Sequence, residues 1–471
     1  MARFFPVGKE DPMSTLCRMV VDIQYEDLPE NVVDHAKKCI LEAMASTVGG
    51  SSAEGIPAIV NYIKNKGGKP ECTLPFYGYK VPASEAGLAL GPMTRALELV
   101  GGHYEGGHSI EYTFPAMLAA TGLKSKVNGK EFITAYVVGE EVLSRIGMAF
   151  KQVSQAIPTG CQGGHYIFGS IASVGKLLGL NFDELENAEG IGRGMVQPYD
   201  AAMYEPPTLM IRVHHGFVCQ DAITACLLAQ AGITGPRGGT HNVITGPRGY
   251  LSWANWPTEP DLVTSGLGEN WEMLHTLMKP YSSCGCTHTA IGGVLDQMSK
   301  HNIQVDDIAS IDIEVSHLCW TVVCTPKDLR WNPETIHECQ FSLPYTVATA
   351  AYVKDVFLDA YTPEARTRKD VRKLMTRISA REDPDLLSFA SRVHLTLKDG
   401  TKYSDKYLYY TDENPRVELT EQQLINKFKK CIPYAACEIS DKAADSVIEA
   451  ILNLENIDDV VGSILTPLTP E

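Results

Sequence analysis

The sequence lacks the features of a membrane-bound or secreted protein. It has no apolar run long enough to cross a bilayer, and its start, MARFFPVGKEDPMSTL, lacks the basic segment, apolar segment and cleavage site of a secretory signal. Positive charge is also scarce, with 41 Lys and Arg against 57 Asp and Glu and a formal net charge of −16. The resulting field repels nucleic acid and anionic membranes. We therefore expect a cytoplasmic protein that binds neither.

Motifs for nucleotides and metals are missing as well. Gly175-Lys176 is followed by Leu177, which breaks the phosphate-loop pattern, and the glycines of 190–194 lie in a helical pattern with no strand before them. The thirteen cysteines are scattered through helical patterns, as is typical of reduced thiols. The stretch 284–288, CGCTH, has no second ligand pair nearby, so packed thiols are expected there and not zinc. The sequence predicts no metal and no cofactor.

The order of sequence patterns predicts a mainly α fold with an insertion. A chain of 471 residues is long for one core. Residues 28–48 show the apolar periodicity of a helix, and similar patterns continue to Trp271. Short strand patterns then follow, including a hairpin with Asp399-Gly400 at its turn. We expect a large all-helical domain built from residues 1–272 and 412–471, and an inserted α+β domain over 273–411.

Candidate catalytic residues cluster between Arg95 and Ala120. There Glu98, His103 and His108 surround two glycine pairs, which predicts an irregular loop between buried helices. His165 also lies beside glycines, just before a helix rich in small residues. These histidines could serve acid–base chemistry, or they could be solvated side chains of a surface loop.

Other polar residues stand in apolar surroundings. Arg212 precedes two histidines and could bind an anion, although the pair could also be one buried and one exposed histidine. Tyr345 begins a helix and could donate a hydrogen bond to a ligand or pack at a domain interface. For the pair Glu140-Glu141, a solvated helix face is favoured over acid–base work.

Together these residues suit removal of a proton next to a carboxylate. Because that proton is weakly acidic, the base must be matched by cations that stabilise charge accumulating on the carboxylate oxygens. Histidines, lysines and arginines supply both roles. The expected partner is a small polycarboxylate.

Five stretches in order resemble the MmgE/PrpD family, whose members include 2-methylcitrate dehydratase, cis-aconitate decarboxylase and iminodisuccinate epimerase. The resemblance covers nearly the whole chain. It implies a helical domain, an α+β lid, a homodimer, and a site between domain and lid. The stretches are LPENVVDHAKKCILEAMAS from Leu28, ITGPRGYL from Ile244, KPYSSC from Lys279, HECQFSLPY from His337, and VHLTLKDG from Val393 with the helix after it.

The resemblance places the family's loop histidine at His108, its lid lysine at Lys279, its lid tyrosine at Tyr345 and a substrate cation at Arg212, where lysine is usual. Glu98 takes the position of the first acidic residue in a DDT-type stretch that this chain otherwise lacks.

The second family loop, normally HPT-like, reads Pro158-Thr159-Gly160, and His165 follows five residues later. Either the acid–base set includes His103 and His165, or the reaction differs.

The sequence thus predicts an enzyme that takes a proton α to a carboxylate. A hydro-lyase is placed first, and an epimerase, a decarboxylase and a non-catalytic binding homologue follow. The predicted catalytic residues are His108, His103, His165 and Tyr345. Lys279, Arg212 and Glu98 are predicted to bind substrate.

Overall fold

The computed structural model describes residues 11–150, 164–196, 208–237, 243–246, 249–253, 257–408 and 419–470. Across them the protein is mainly α-helical, with small sheets, as the sequence predicts. None of the helices in these ranges is both long and apolar enough to span a bilayer. The Pro158-Thr159-Gly160 stretch lies outside the described residues.

The helices of the first part of the chain share one hydrophobic core. The apolar face predicted on the second helix, from Val32 to Met44, is buried there. These helices are α1 (Pro12–Asp22), α2 (Glu30–Gly50), α3 (Ile56–Lys66), α4 (Ala83–Arg95), α5 (Ile110–Ala120), α6 (Gly129–Met148), α7 (Tyr166–Leu178), α8 (Phe182–Arg193), α9 (Met210–Gln230) and α10 (Tyr250–Trp253).

The end of the chain returns to this first core. Helices α18 (Glu421–Cys431) and α19 (Asp441–Leu452) bury apolar residues such as Phe428 and Ile451 in the same cluster. Met273 and Met278 belong to it as well. The predicted boundaries at 273 and 411 remain predictions.

A second hydrophobic cluster gathers residues between Cys286 and Leu395. Its helices are α11 (His288–Lys300), α12 (His317–Cys319), α13 (Lys327–Trp331), α14 (Ile336–Gln340), α15 (Leu343–Val353), α16 (Pro363–Arg366) and α17 (Lys369–Met375). Cys286 is buried just before α11, which agrees with the expectation of packed thiols.

The strands form one larger sheet and two short pairs. The strands are β1 (Cys72–Leu74), β2 (Tyr79–Val81), β3 (Gly102–His103), β4 (Thr276–Leu277), β5 (Ile308–Val315), β6 (Ile378–Glu382), β7 (Ser391–Leu397) and β8 (Lys402–Tyr407). The larger sheet has the order β6-β5-β7-β8, in which β5 and β6 are parallel and the other neighbours antiparallel. The predicted hairpin joins β7 and β8, and Gly400 at its turn has a φ of 90°. In the short pairs, β1 lies beside β2, and β3 beside β4.

The expectation for Glu140 and Glu141 was wrong. Both side chains are buried, and neither lies on a solvated helix face. Glu141 accepts a hydrogen bond of 2.7 Å from Arg145 Nε and further bonds from the backbone N–H groups of Glu272 and Met273. Glu140 accepts from the hydroxyl of Thr113. Sequence periodicity could not reveal these distant partners.

Candidate active site

The loop between α4 and α5 lies directly on β4. Gly102 pairs with Leu277, and His103 pairs with Thr276. Gly101 fits only without a side chain, because a Cβ there would lie 1.6 Å from the carbonyl oxygen of Leu277. This contact places the loop beside the segment that carries Lys279.

Glu98 is held in an uncommon backbone conformation between two cations. Its φ of 51° is in the left-handed region, which typically costs about 1 kcal/mol or more for a residue other than glycine. Its carboxylate contacts Arg95, and Oε2 lies 2.9 Å from Nζ of Lys279. Burial would raise the pKa of Glu98, but Arg95 and Lys279 hold it at about 2. Glu98 is therefore an anion that neutralises much of the local positive charge.

Two side chains from helices of the first core, Glu42 and Lys427, hydrogen-bond to the backbone around this ion pair. Glu42 Oε1 accepts the backbone N–H of Lys279 at 2.8 Å, and Oε2 accepts that of Gly101 at 2.9 Å. Lys427 donates to Glu42 at 2.7 Å and also to the carbonyls of Leu99 and Lys279. These buried bonds hold both chain segments in one relative position.

A second carboxylate, Glu111 on the first turn of α5, orients His108. Its Oε1 lies 2.9 Å from His108 Nδ1, 3.1 Å from His215 Nε2 and 3.3 Å from Arg95 Nε. Burial opposes ionisation, but Arg95 and the two histidines hold the pKa of Glu111 well below its usual value. An ionised carboxylate requires the proton of His108 on Nδ1, which leaves Nε2 as the nitrogen available for proton transfer. The His108 side chain is 35% exposed, so this nitrogen can be reached.

Three stacked aromatic rings, including that of His215, pack next to Glu111. The ring of Tyr112 stacks between Tyr166 and His215, with centroids 4.3 Å away on each side. The backbone N–H of His108 donates to the Tyr166 hydroxyl at 3.3 Å. Burial lowers the pKa of His215 to about 4, so this ring stays neutral near pH 7. His214 and His215 are both buried, so the alternative of one buried and one exposed histidine was wrong.

Arg212 and His337 lie on helices of different cores, and the charges of Arg95 and Glu98 affect the pKa of both. Arg212 on α9 is buried and donates to the carbonyl oxygen of Glu54. Burial lowers its pKa to about 10; the negative charges of Glu54 and Glu98 oppose this shift, and the positive charge of Arg95 adds to it. Burial likewise lowers the pKa of His337 to about 3; the charges of Arg212 and Arg95 act in the same direction, and the charge of Glu98 opposes them.

His103 and His165 both bind the backbone of the loop at Gly106. His103 Nδ1 accepts the N–H groups of Gly106 at 2.7 Å and Glu105 at 3.2 Å. His165 Nε2 lies 2.8 Å from the carbonyl oxygen of Gly106. Burial lowers the pKa of both histidines, that of His165 to about 4. In this arrangement their visible role is to fix the loop that carries His108.

Within the described ranges, His103, Glu272 and His275 form a group with the spacing of metal ligands. Because His103 Nδ1 accepts two backbone N–H groups, its proton lies on Nε2, which faces Glu272 at 3.7 Å. A protonated nitrogen offers a metal no lone pair. The hydrogen bonds of His103 therefore disfavour a metal ion at this group.

Tyr345 lies in the second core. Its hydroxyl donates to the carbonyl oxygen of Ala360, and burial raises its pKa. In this structure, Glu98 and Lys279 are in direct contact, and His108 is joined to them through Glu111 and Arg95. The catalytic roles predicted for Tyr345, His103 and His165 remain predictions.

Sequence reasoning missed Arg95 and Glu111, the two residues that join Glu98 to His108. Both lie in stretches of apolar and small residues, where the sequence offers little reason to expect a charge pair. The available signal was the spacing of three residues between His108 and Glu111, since residues three apart are neighbours on a helical turn.

Comparison with known proteins identifies the family of the chain. The MmgE/PrpD N-terminal domain matches residues 14–261, and the MmgE/PrpD C-terminal domain matches residues 281–454. A cis-aconitate decarboxylase-like protein of Aspergillus oryzae is 26% identical over 480 residues, which cover 94% of this chain and 95% of that protein. A cis-aconitate decarboxylase of Aspergillus terreus is 23% identical over 485 residues, which cover 96% of this chain and 95% of that protein. The chain therefore belongs to the MmgE/PrpD family.

Proposed function

We propose that the protein is a lyase that decarboxylates a small unsaturated polycarboxylate, with His108 as the group that exchanges a proton with carbon. The observation that carries the proposal is the contact between His108 Nδ1 and the buried carboxylate of Glu111, which directs Nε2 outward. The names of the two Aspergillus relatives support the same chemistry.

The proposed reaction exchanges one carboxyl group for one proton. The carbon–carbon bond to a carboxylate breaks and carbon dioxide leaves. The electron pair stays on the substrate, delocalised over the neighbouring double bond and a remaining carboxylate. A protonated His108 then transfers its Nε2 proton to carbon, and the neutral ring regains a proton from water. Glu111 stabilises the imidazolium form and fixes the ring orientation.

Decarboxylation needs fewer proton-transfer groups than dehydration does. An elimination of water requires a base for the C–H proton and an acid for the departing hydroxyl group. Of the three predicted histidines, His108 has a partly exposed side chain, whereas His103 and His165 are buried and bound to the loop backbone. For this reason we place decarboxylation ahead of the dehydration that the sequence predicts first.

Lys279 would bind the reacting carboxylate, and Glu98 would hold Lys279 in position. Glu98 raises the pKa of Lys279 against the effect of burial, so the lysine stays cationic. Lys279 would donate to a substrate oxygen while Glu98 keeps its ammonium group in place. Loss of either partner leaves a buried unpaired charge, which is strongly destabilising.

The test is proton NMR of the purified protein in heavy water with cis-aconitate, 2-methylcitrate, citrate, malate and aspartate. We expect cis-aconitate to lose one carboxylate and gain one deuterium on carbon, and His108→Gln to abolish the reaction. Hydration or dehydration would support the hydro-lyase instead. Deuterium exchange with inversion would support an epimerase. Ligand-induced thermal stabilisation without any conversion would overturn the enzyme proposal in favour of a binding homologue.

A cytoplasmic location and a homodimer remain predictions from the sequence. Light scattering during size-exclusion chromatography tests the second, because a dimer of this 51.5 kDa chain has twice its mass. A monomeric mass at assay concentration would contradict the dimer.

A further inference from the structure

The segment that carries Lys279 continues directly into the second core. Ser282 comes shortly after Lys279, and its backbone N–H donates to the carbonyl oxygen of Val356 at 2.9 Å. Its own carbonyl oxygen accepts from the hydroxyl of Tyr361. Val356 and Tyr361 both belong to the second hydrophobic cluster. The second core therefore fixes Ser282, whereas the backbone of Lys279 is held by side chains of the first core.

Gln340, the last residue of α14, is anchored to the same second core. Its carbonyl oxygen accepts the backbone N–H of Cys284 at 3.0 Å, and its neighbour Cys339 belongs to the second cluster. Only 1% of Gln340 is exposed. A buried side-chain amide needs hydrogen-bond partners, and its Nε2 donates to the carbonyl oxygen of Leu97 at 3.0 Å. This bond crosses from the second core to the turn after α4.

The carbonyl oxygen of Leu97 accepts a second hydrogen bond, from the hydroxyl of Ser282 at 2.6 Å. The Leu97 side chain packs against the first core, so this residue is held from both sides. It directly precedes Glu98, whose φ of 51° is costly and persists only where its surroundings impose it. Because a peptide group is planar, bonds that fix the Leu97 oxygen also restrict the direction in which the Glu98 side chain leaves the backbone.

We infer that Ser282 and Gln340 are positioning residues, which hold Glu98 where its carboxylate can pair with Lys279. This inference rests on the proposed function, in which Lys279 binds the reacting carboxylate. Oε2 of Glu98 lies 2.9 Å from Nζ of Lys279. The second core thus contributes to the geometry of this ion pair through the Leu97 carbonyl, although neither Ser282 nor Gln340 needs to contact the substrate.

The test is a double-mutant cycle with Ser282→Ala and Gln340→Leu, measured by steady-state kinetics with cis-aconitate. Because both donors serve one acceptor, either single variant leaves the Leu97 oxygen with one of these bonds, and KM should rise less than about threefold. The double variant loses both bonds, and its KM should rise about thirtyfold or more. Its kcat should fall less than about threefold, since Lys279 binds the substrate and does not transfer the proton.

A matched control is available on α11. Gln297 is also a buried second-core glutamine, and its Nε2 donates to the carbonyl oxygen of Val393 at 2.9 Å. Gln297→Leu should lower the melting temperature about as much as Gln340→Leu does, but it should leave KM unchanged in the wild-type and Ser282→Ala backgrounds. Losses of KM that merely multiply in the double variant, or that Gln297→Leu reproduces, would overturn the inference.

A crystal structure of the double variant provides a measurement that does not depend on turnover. We expect the Glu98 carboxylate to lie more than about 4 Å from Lys279 Nζ, and an unchanged Glu98 would overturn the inference. If the wild type converts none of the acids, the proposed function fails, and this structure alone decides the positioning role. If thermal melting shows that the double variant is unfolded, Gln340→Glu at pH 8 replaces the donor with an acceptor. It should raise KM about tenfold, and an unchanged KM would contradict the inference.

Discussion

The two sides of the loop that carries His108 use the same residue types in different ways. On one side, His108 and His215 contact the side-chain carboxylate of Glu111. On the other, His103 and His165 bind the backbone N–H and carbonyl of Gly106. A buried histidine that uses one ring nitrogen to hold the loop backbone is fixed in one tautomer, and its ring is not exposed to substrate. The carboxylate partner and the partial exposure together single out His108 as the candidate catalytic histidine, since His215 contacts the same carboxylate but is buried.

Among the four histidines compared, replacing His108 should cause the largest loss of activity. His108→Gln should lower kcat by roughly a thousandfold, because the group that transfers the proton is lost. Because the His108 side chain is partly exposed, its replacement should change the melting temperature little. Steady-state kinetics and calorimetric melting of the same preparation measure both effects. Retention of a tenth or more of wild-type kcat would refute His108 as the proton-transfer group.

Removing the charge of Glu111 should have the next largest effect. Glu111→Gln should lower kcat by about a hundredfold, since His108 loses the carboxylate that fixes its tautomer. In the double variant with His108→Gln, the second substitution should cause little further loss, because the two residues act as a unit. Multiplicative losses in the double variant would show that Glu111 acts independently of His108.

On the opposite side of the loop, His165→Phe should affect stability more than chemistry. It leaves the carbonyl of Gly106 without its partner, at a typical cost of roughly 1–3 kcal/mol of unfolding free energy. Urea denaturation measures that loss, and kcat at low temperature should fall less than about tenfold. A large loss of kcat at unchanged stability would instead support the catalytic role predicted from the sequence.

The buried carboxyl group of Glu140 should make the stability of the folded protein depend on pH. Burial raises the pKa of Glu140 from 4.5 to about 7, although hydroxyl hydrogen bonds oppose the shift. The folded state therefore favours protonated Glu140. This contribution is fully present below about pH 4.5 and is lost as pH rises through about 7.

Glu140→Gln should remove this dependence. At pH 8 the variant should be more stable than the wild type by roughly 1–2 kcal/mol, and near pH 4.5 the two should be similar. Denaturation at both pH values measures the difference. An equal difference in unfolding free energy at both pH values would show that Glu140 does not titrate between them.

The sequence predicts local structure better than it predicts side-chain contacts between distant parts of the chain. Apolar periodicity correctly predicted α2 and the β7–β8 hairpin, since these depend on neighbours along the chain. Local motifs predict Glu98 and Lys279 as site residues, but they do not predict the contact between them, which joins residues 181 positions apart. Glu111 was missed because its partners come from α4 and α9 and from the loop. Side-chain partners across helices are set by packing, which periodicity does not encode.

The contacts around Lys279 bear on how family members could be recombined. The two family domains meet between residues 261 and 281, and a chimera joined near 262 would import Lys279 with the foreign half. Its backbone N–H and carbonyl, however, are held by Glu42 and Lys427 of the first core. A junction placed after Lys279 keeps Lys279 and Glu42 from one parent, whereas Lys427 comes from the second parent with either junction. Chimeras joined there should express as folded protein more often than those joined near residue 262.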